Sequence, residues 1–132
     1  EGTPIQDLNK RSKEVIAAGL IKLGIITDPK DVRIYYPHHF LGLDVHDKGT
    51  YKGPQTIIKE NMILTVEPGI YIPANSKCDK KWWNIGVRIE DDILIKKDSY
   101  ENLSAESPRK WQDIEKLATE KSTFNDMKFP KI

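Results

Sequence analysis

The chain has 132 residues, of which 31% are charged, and its 21 basic and 20 acidic residues leave a net charge of +1. This length is enough for one domain with a hydrophobic core, and the balanced charge gives no reason to expect nucleic acid or a membrane surface as a partner. No apolar run approaches the ~20 residues that span a bilayer. The single cysteine, Cys78, excludes a disulfide framework within the chain and favours a reducing compartment, so we expect a cytoplasmic protein.

The first predicted element is a helix near the amino terminus. Thr3 is suited to cap it, Pro4 fits the first helical position, and Gln6 would complete a capping box with Thr3. Apolar residues then recur with helical spacing, at positions 5, 8, 15, 16, 20 and 23. Gly24 is typical of a helix end, so the pattern predicts a helix from about Pro4 to Leu23.

The rest of the chain reads as short strands separated by turns, with one more helix. The first half is predicted to contain a turn at 28–29, a histidine-rich strand or loop over 32–47, a loop over 48–59 and a buried strand over 62–66. A turn at 68–69, a strand over 70–72 and a loop over 74–81 follow. Two strands are then predicted over 83–90 and 93–96, or one long strand broken near 91–92. Ser107-Pro108 predicts the start of a second helix with Trp111, Ile114 and Leu117 on one face. Residues 122–132 form a polar tail.

Three short strings hold the candidate functional residues: HFLGLDVHD over 39–47, EPGIY over 67–71 and RIED over 88–91. They supply one imidazole, His39, and two carboxylates, Glu67 and Glu90, within strand-like or turn-like sequence. This mixture of nitrogen and oxygen ligands suits a divalent metal such as Mn, Co, Zn or Fe. The second histidine of the first string, His46, is then available to act on a substrate.

Each of these residues also has an ordinary structural explanation. A lone histidine in an aromatic segment is more often a hydrogen-bonded core residue than a ligand. Without its flanking residues, Glu67 is explained slightly better as a solvated strand end, although its burial would be costly without a partner. Arg88 and Glu90 lie two residues apart on one face of a strand, where they would also fit a surface pair of little energetic value. Two carboxylates that converge on an imidazole, by contrast, need a cation or large pKa shifts to be stable together.

The three strings, in their residues and their order, resemble motifs of the aminopeptidase P and prolidase family of metallopeptidases. The resemblance covers about residues 2–120. In that family five ligands hold two metal ions: two aspartates from the first half of the catalytic domain, then one histidine and two glutamates from the second half. The resemblance implies that His39, Glu67 and Glu90 are these last three ligands and that Glu90 bridges both ions. It also implies that His46 and His38 face the substrate, and it places an arginine, Arg88, near the site.

The fold class that the resemblance implies is α+β, with residues 1–132 forming the C-terminal half of a pita-bread domain in which helices cover a curved, mainly antiparallel sheet. The implied activity is hydrolysis of the Xaa-Pro bond at a peptide N-terminus, with two divalent ions, manganese being favoured. The substrate would be a peptide with proline at its second position. His46 and His38 would stabilise the tetrahedral intermediate or position the substrate, and Glu67 would pass a proton to the leaving nitrogen.

Two features depart from the family pattern. Both aspartate ligands are absent, because Asp44 and Asp47 belong to the histidine string and do not replace them. The chain also lacks an initiator Met and a signal peptide. We therefore expect a piece of a longer protein that is inactive without its N-terminal half. The family places three further residues between the histidines that are adjacent here as His38 and His39, so either the protein has a real deletion or residues are missing between them.

Other functions stay open at this point. A non-catalytic pita-bread protein would serve as a binding module, and the presence of the two aspartates upstream would exclude it. A prolidase-type Xaa-Pro dipeptidase is equally compatible with the strings, because the domain that limits substrate length lies outside this sequence. Methionine aminopeptidase fits less well, since its histidine string contains different residues. A homodimer is possible, and nothing in the sequence decides it.

Overall fold

A computed structural model describes residues 1–33, 37–49 and 51–122. Within these ranges the chain forms helix α1 (Ile5–Lys22), strands β1 (Ile63–Val66), β2 (Gly69–Ile72), β3 (Ile85–Arg88), β4 (Asp91–Ile95) and β5 (Tyr100–Asn102), and helix α2 (Trp111–Ala118). Single 3₁₀ turns occur at Pro29–Asp31 and Lys80–Trp82. Strands β1, β4 and β5 form one sheet in the order β1-β4-β5, and β2 and β3 form a second. The fold is therefore α+β with antiparallel strand pairs, as the sequence predicts.

Helix α1 begins one residue later than predicted, and the predicted capping box is wrong. The carbonyl of Thr3 accepts a hydrogen bond of 2.9 Å from the N–H of Ile58, which ties the N-terminus to the segment before β1. Pro4 consequently keeps an extended backbone, and no side chain caps the helix. At the other end Gly24, with φ of +70°, ends the helix as predicted.

The buried apolar residues form two clusters at opposite ends of α1. One contains Ile5, Phe40, Ile58 and Leu64, and the other contains Leu20, Ile25 and Ile72. Helix α1 thus holds β1 at one end and β2 at the other. No residue of α2 is buried, and its apolar stripe of Trp111, Ile114 and Leu117 is exposed.

The two sheets are joined by one interrupted two-stranded ribbon. β1 pairs with β4 and β2 pairs with β3, and a single register runs through both pairs. The connections at 67–68 and 89–90 therefore lie opposite each other, with Glu67 across from Glu90. Pro68 has no N–H to donate to a ladder, which accounts for the interruption.

The structure differs from the predicted strands in two places and from the predicted second helix in one. The break in the second half of the ribbon falls at 89–90 rather than near 91–92. Strand β5 was not predicted, because its short polar sequence has no apolar alternation. Helix α2 starts at Trp111, three residues after the proline expected to open it, and residues 107–110 precede it without helical structure.

Candidate metal centre

His39 is placed by an extended segment that lies along the edge of β1. The N–H of Glu67 donates to the carbonyl of Pro37, and the N–H of Thr65 donates to the carbonyl of His39, each at 2.9 Å. In return the hydroxyl of Thr65 accepts the N–H of His39 at 2.9 Å. This two-residue repeat is that of an antiparallel ladder, so residues 37–39 run extended beside β1. The first histidine string is thereby held directly beside the strand that leads to Glu67.

The His39 ring is oriented by a hydrogen bond to its own neighbour. Its Nδ1 lies 2.8 Å from the carbonyl oxygen of Phe40, and because a carbonyl can only accept, Nδ1 carries a proton. The other nitrogen, Nε2, points at the carboxylates. It lies 2.9 Å from Oε1 of Glu67 and 4.0 Å from Oε1 of Glu90. A histidine fixed through one nitrogen with the other facing acidic oxygens is the usual arrangement of a metal ligand.

Glu67 is the buried centre of the cluster, with 6% of its surface exposed. Arg88 Nη1 donates to its Oε2 at 3.1 Å and to its backbone carbonyl at 2.7 Å. The hydroxyl of Thr65 donates to Oε1 at 3.2 Å. Arg88 in turn donates from Nε to the hydroxyl of Tyr71 at 3.0 Å, and this contact, followed by Glu67, raises the pKa of Arg88. One carboxylate oxygen is therefore held by the guanidinium while the other faces His39.

Glu90 and His46 complete the cluster from its exposed side. The Glu90 side chain is 47% exposed, and His46 is exposed with its ring perpendicular to that of His39 at a centroid distance of 5.1 Å. Ligand atoms of His39, His46 and Glu67 all lie within 4.8 Å of one another, a group that does not include Glu90. His46 is thus within reach of an ion held by His39 and Glu67.

The loop that carries His46 is closed by Asp47. The backbone of Asp47 accepts the N–H of Phe40 at 3.2 Å, and its carboxylate accepts the N–H groups of Gly49 at 3.2 Å and Leu43 at 3.1 Å. Backbone hydrogen bonds, that of Gly49 foremost, lower the pKa of Asp47. Asp47 is therefore a structural residue of the loop.

His38 is near the cluster but is not part of it. Its Nδ1 is buried and has no hydrogen-bond partner among the described residues. Burial lowers the pKa of His38, the neighbouring His39 lowers it further, and Glu67 partly opposes this. His38 is therefore a half-buried, neutral imidazole with one unused nitrogen.

Two residues that contact the site were missed by the sequence reasoning. Thr65 bonds both His39 and Glu67, and Tyr71 bonds Arg88. Thr65 lies two positions before Glu67 on β1, so strand alternation places both on one face. That alternation was the available signal for Thr65.

The residues present fit a divalent cation. A buried carboxylate and a correctly oriented imidazole nitrogen converge, with a second carboxylate and a second imidazole within reach. The cluster is exposed on the side of Glu90, whose side chain is 47% exposed, and of His46, which is also exposed. Two cavities of about 510 and 540 Å³ flank α1 and are lined by other residues. A site that is exposed on one side suits a metal that must also meet a substrate.

An α+β fold with such a cluster at a break in its ribbon is the arrangement expected of the pita-bread class. Residues 1–97 match the model of metallopeptidase family M24, and the chain belongs to this family. It is 39% identical over 127 residues to the Xaa-Pro aminopeptidase of Escherichia coli, covering 88% of this chain and 29% of that one. It is 38% identical over 122 residues to the mitochondrial intermediate cleaving peptidase 55 of Arabidopsis thaliana, covering 88% and 24%.

Solved structures give the same result for the fold. The structure of E. coli aminopeptidase P with the inhibitor Pro-Leu matches 88% of this chain and 29% of its own, with a TM-score of 0.76 and 37% identity. The zinc-substituted E. coli enzyme in complex with product matches 92% and 30%, with a TM-score of 0.77 and 36% identity. The resemblance to the aminopeptidase P family and the predicted half pita-bread fold are confirmed. The chain spans between about a quarter and three tenths of the length of these relatives.

The described part of the chain has no helix that is long and apolar enough to cross a membrane.

Proposed function

We propose that this chain supplies the metal-binding and substrate-facing half of an Xaa-Pro aminopeptidase. The observation that carries the proposal is the meeting of His39 Nε2 with the carboxylates of Glu67 and Glu90, at 2.9 and 4.0 Å. The E. coli relative is named for this activity, and the same three residues are the ligands that the sequence resemblance implies.

In this proposal the metal ligands are His39, Glu67 and Glu90. Two divalent ions, manganese being favoured, would occupy the complete site, with Glu90 between them. When bound, such ions act as Lewis acids toward the scissile carbonyl and lower the pKa of the attacking water. Arg88 holds the far oxygen of Glu67 and so keeps its other oxygen aimed at His39.

The remaining residues act on the substrate. His46 is exposed beside the cluster and is placed to donate a hydrogen bond to the oxygen that becomes negative in the tetrahedral intermediate. His38 is more buried than His46 and has an unused nitrogen, Nδ1, with which it would contact the substrate. Glu67, a ligand carboxylate with one oxygen held by Arg88, would pass a proton to the leaving nitrogen.

The test is a chimera in which residues 1–122 replace the matching segment of the E. coli Xaa-Pro aminopeptidase. Hydrolysis of an Xaa-Pro peptide is measured with added manganese. We expect turnover, and we expect His39→Ala to reduce it by at least about a hundredfold, since transition-state stabilisation by a metal is worth several kcal/mol. Glu115→Gln, a charge removal on exposed α2, is the matched control and leaves turnover unchanged.

A chimera that is folded by circular dichroism and binds manganese but cleaves nothing would contradict the proposal and favour a binding module. Testing Xaa-Pro dipeptides beside longer peptides separates a prolidase from an aminopeptidase. The chain by itself is expected to show no turnover, because it provides three of the five ligands that the resemblance implies.

The partners and compartment belong to the same proposal. The substrate is a peptide with proline in second position, and the other half of the catalytic domain is the structural partner. The relatives include a bacterial enzyme and a protein named as mitochondrial, so the predicted cytoplasmic location stays a prediction, as does a homodimer.

A further inference from the structure

The three residues whose ligand atoms could together hold one ion are not the three proposed as ligands above. The compact group consists of His39, His46 and Glu67, whose ligand atoms are all within 4.8 Å of one another, whereas Glu90 lies outside it. We propose that the chain by itself binds one zinc ion through His39, His46 and Glu67. The inference uses the same site as the proposed function but gives His46 a different role, that of a metal ligand.

The distances suit a tetrahedral ion after small side-chain movements. Zinc bonds of 2.0–2.1 Å at tetrahedral angles place neighbouring ligand atoms about 3.3 Å apart. The contact of 2.9 Å between His39 Nε2 and Glu67 Oε1 has to open by a few tenths of an ångström. The other contacts, within 4.8 Å, have to close by no more than about 1.5 Å. Rotation of the exposed His46 side chain is sufficient for that.

The surroundings of each ligand favour this arrangement. His39 already has its Nδ1 proton on the carbonyl of Phe40, which leaves Nε2 for the ion. Glu67 has one oxygen bound by Arg88, which leaves the other as a single ligand atom. The His39 and His46 rings lie 5.1 Å apart, and one nitrogen of each lies within 4.8 Å of the other and of a Glu67 oxygen.

The donor set selects the metal. Two imidazoles and one carboxylate form a common protein set for zinc, and three protein ligands leave a fourth position open to water. The half-exposed Glu90 lies 4.0 Å from His39 Nε2 and remains outside this set. A complete dinuclear site with further carboxylates would instead engage Glu90 and release His46 toward the substrate.

The experiment is titration of the 132-residue chain with zinc chloride in a calorimeter, together with the visible spectrum of the cobalt-loaded chain. We expect one ion per chain. His46→Ala should weaken zinc binding by more than about tenfold, because loss of an outer-shell partner alone costs roughly 10–100-fold, and it should change the cobalt spectrum. Glu90→Gln should cost less than His46→Ala.

Two controls test the assignment to these ligands. Cys78→Ser removes the free thiol and should leave the zinc affinity unchanged, and Glu115→Gln removes an exposed carboxylate far from the cluster. Circular dichroism checks that His46→Ala is folded, as expected for an exposed side chain.

The inference is overturned if the wild-type chain binds no zinc, or if Glu90→Gln weakens binding as much as His46→Ala or more. Its failure is distinct from failure of the proposed function, which is decided by turnover of the manganese-loaded chimera.

Discussion

Replacement of Arg88 by methionine should destabilise the fold by removing the main partner of a buried carboxylate. The guanidinium makes hydrogen bonds of 2.7 and 3.1 Å to Glu67, whose side chain is 8% exposed, while the Arg88 side chain is 30% exposed. A hydrogen bond to a charged group contributes about 1.5–3 kcal/mol, and loss of one partner of a buried ion pair costs about 3–5 kcal/mol. Because water can reach the partly exposed position, we place the loss at about 2–3 kcal/mol.

The assay is urea unfolding of the metal-free chain at neutral pH, followed by tryptophan fluorescence and circular dichroism, with the free energy of unfolding extrapolated to water. Arg11→Met is the matched control. Arg11 pairs with Glu14 at 3.4 Å on the surface, with side chains 74% and 50% exposed, so its loss should stay within about 0.5 kcal/mol. Equal effects of the two substitutions would refute the reasoning, since Glu67 would then not depend on Arg88.

Two further predictions concern the stability of the same chain. Burial raises the pKa of Asp91, but hydrogen bonds, that of Arg109 foremost, lower it more, so that it lies below its ordinary 3.8. Arg109→Gln should therefore cost about 1 kcal/mol at pH 7. Urea unfolding at a pH below 3.8 should find a smaller cost, because this contribution is lost as the pH falls through the folded pKa of Asp91. A cost that is the same at both pH values would contradict this. Gly49→Ala would place a methyl group 2.5 Å from the ring of Phe40 at a φ of +49°, so it should lower the melting temperature by several degrees. Gly19→Ala adds a methyl group in open space within α1 and should raise the free energy of unfolding by about 0.5–1 kcal/mol. Thermal unfolding of both variants checks the opposite signs.

The sequence predicted the elements that depend on local patterns. The apolar stripe and Gly24 located α1 to within a residue at each end, and the apolar run before Glu67 located β1. The capping box failed because a long-range pairing of Thr3 with Ile58 decides the backbone there. A motif of side-chain types does not indicate such a pairing, which is why the predicted cap of α1 was wrong.

The sequence predicted which residues form the site better than it predicted the contacts between them. The strings named His39 and Glu67, which the structure brings to 2.9 Å. The contact of Arg88 with Glu67 depends on two strands meeting in one register, which no single strand specifies. The close approach of His46 depends on the turn closed by Asp47, whose backbone contacts the sequence does not reveal.

The single register through the interrupted ribbon sets the distance between the backbones of the two glutamates. Because Glu67 and Glu90 lie opposite each other, their separation is fixed by one interstrand distance rather than by the docking of distant elements. An insertion of one residue at 67–68 or 89–90 would turn a carboxylate to the other face, whereas an insertion in the loop at 73–84 would leave the pair where it is. Variation in chain length among related sequences should therefore accumulate at the end of the ribbon and be absent at its middle.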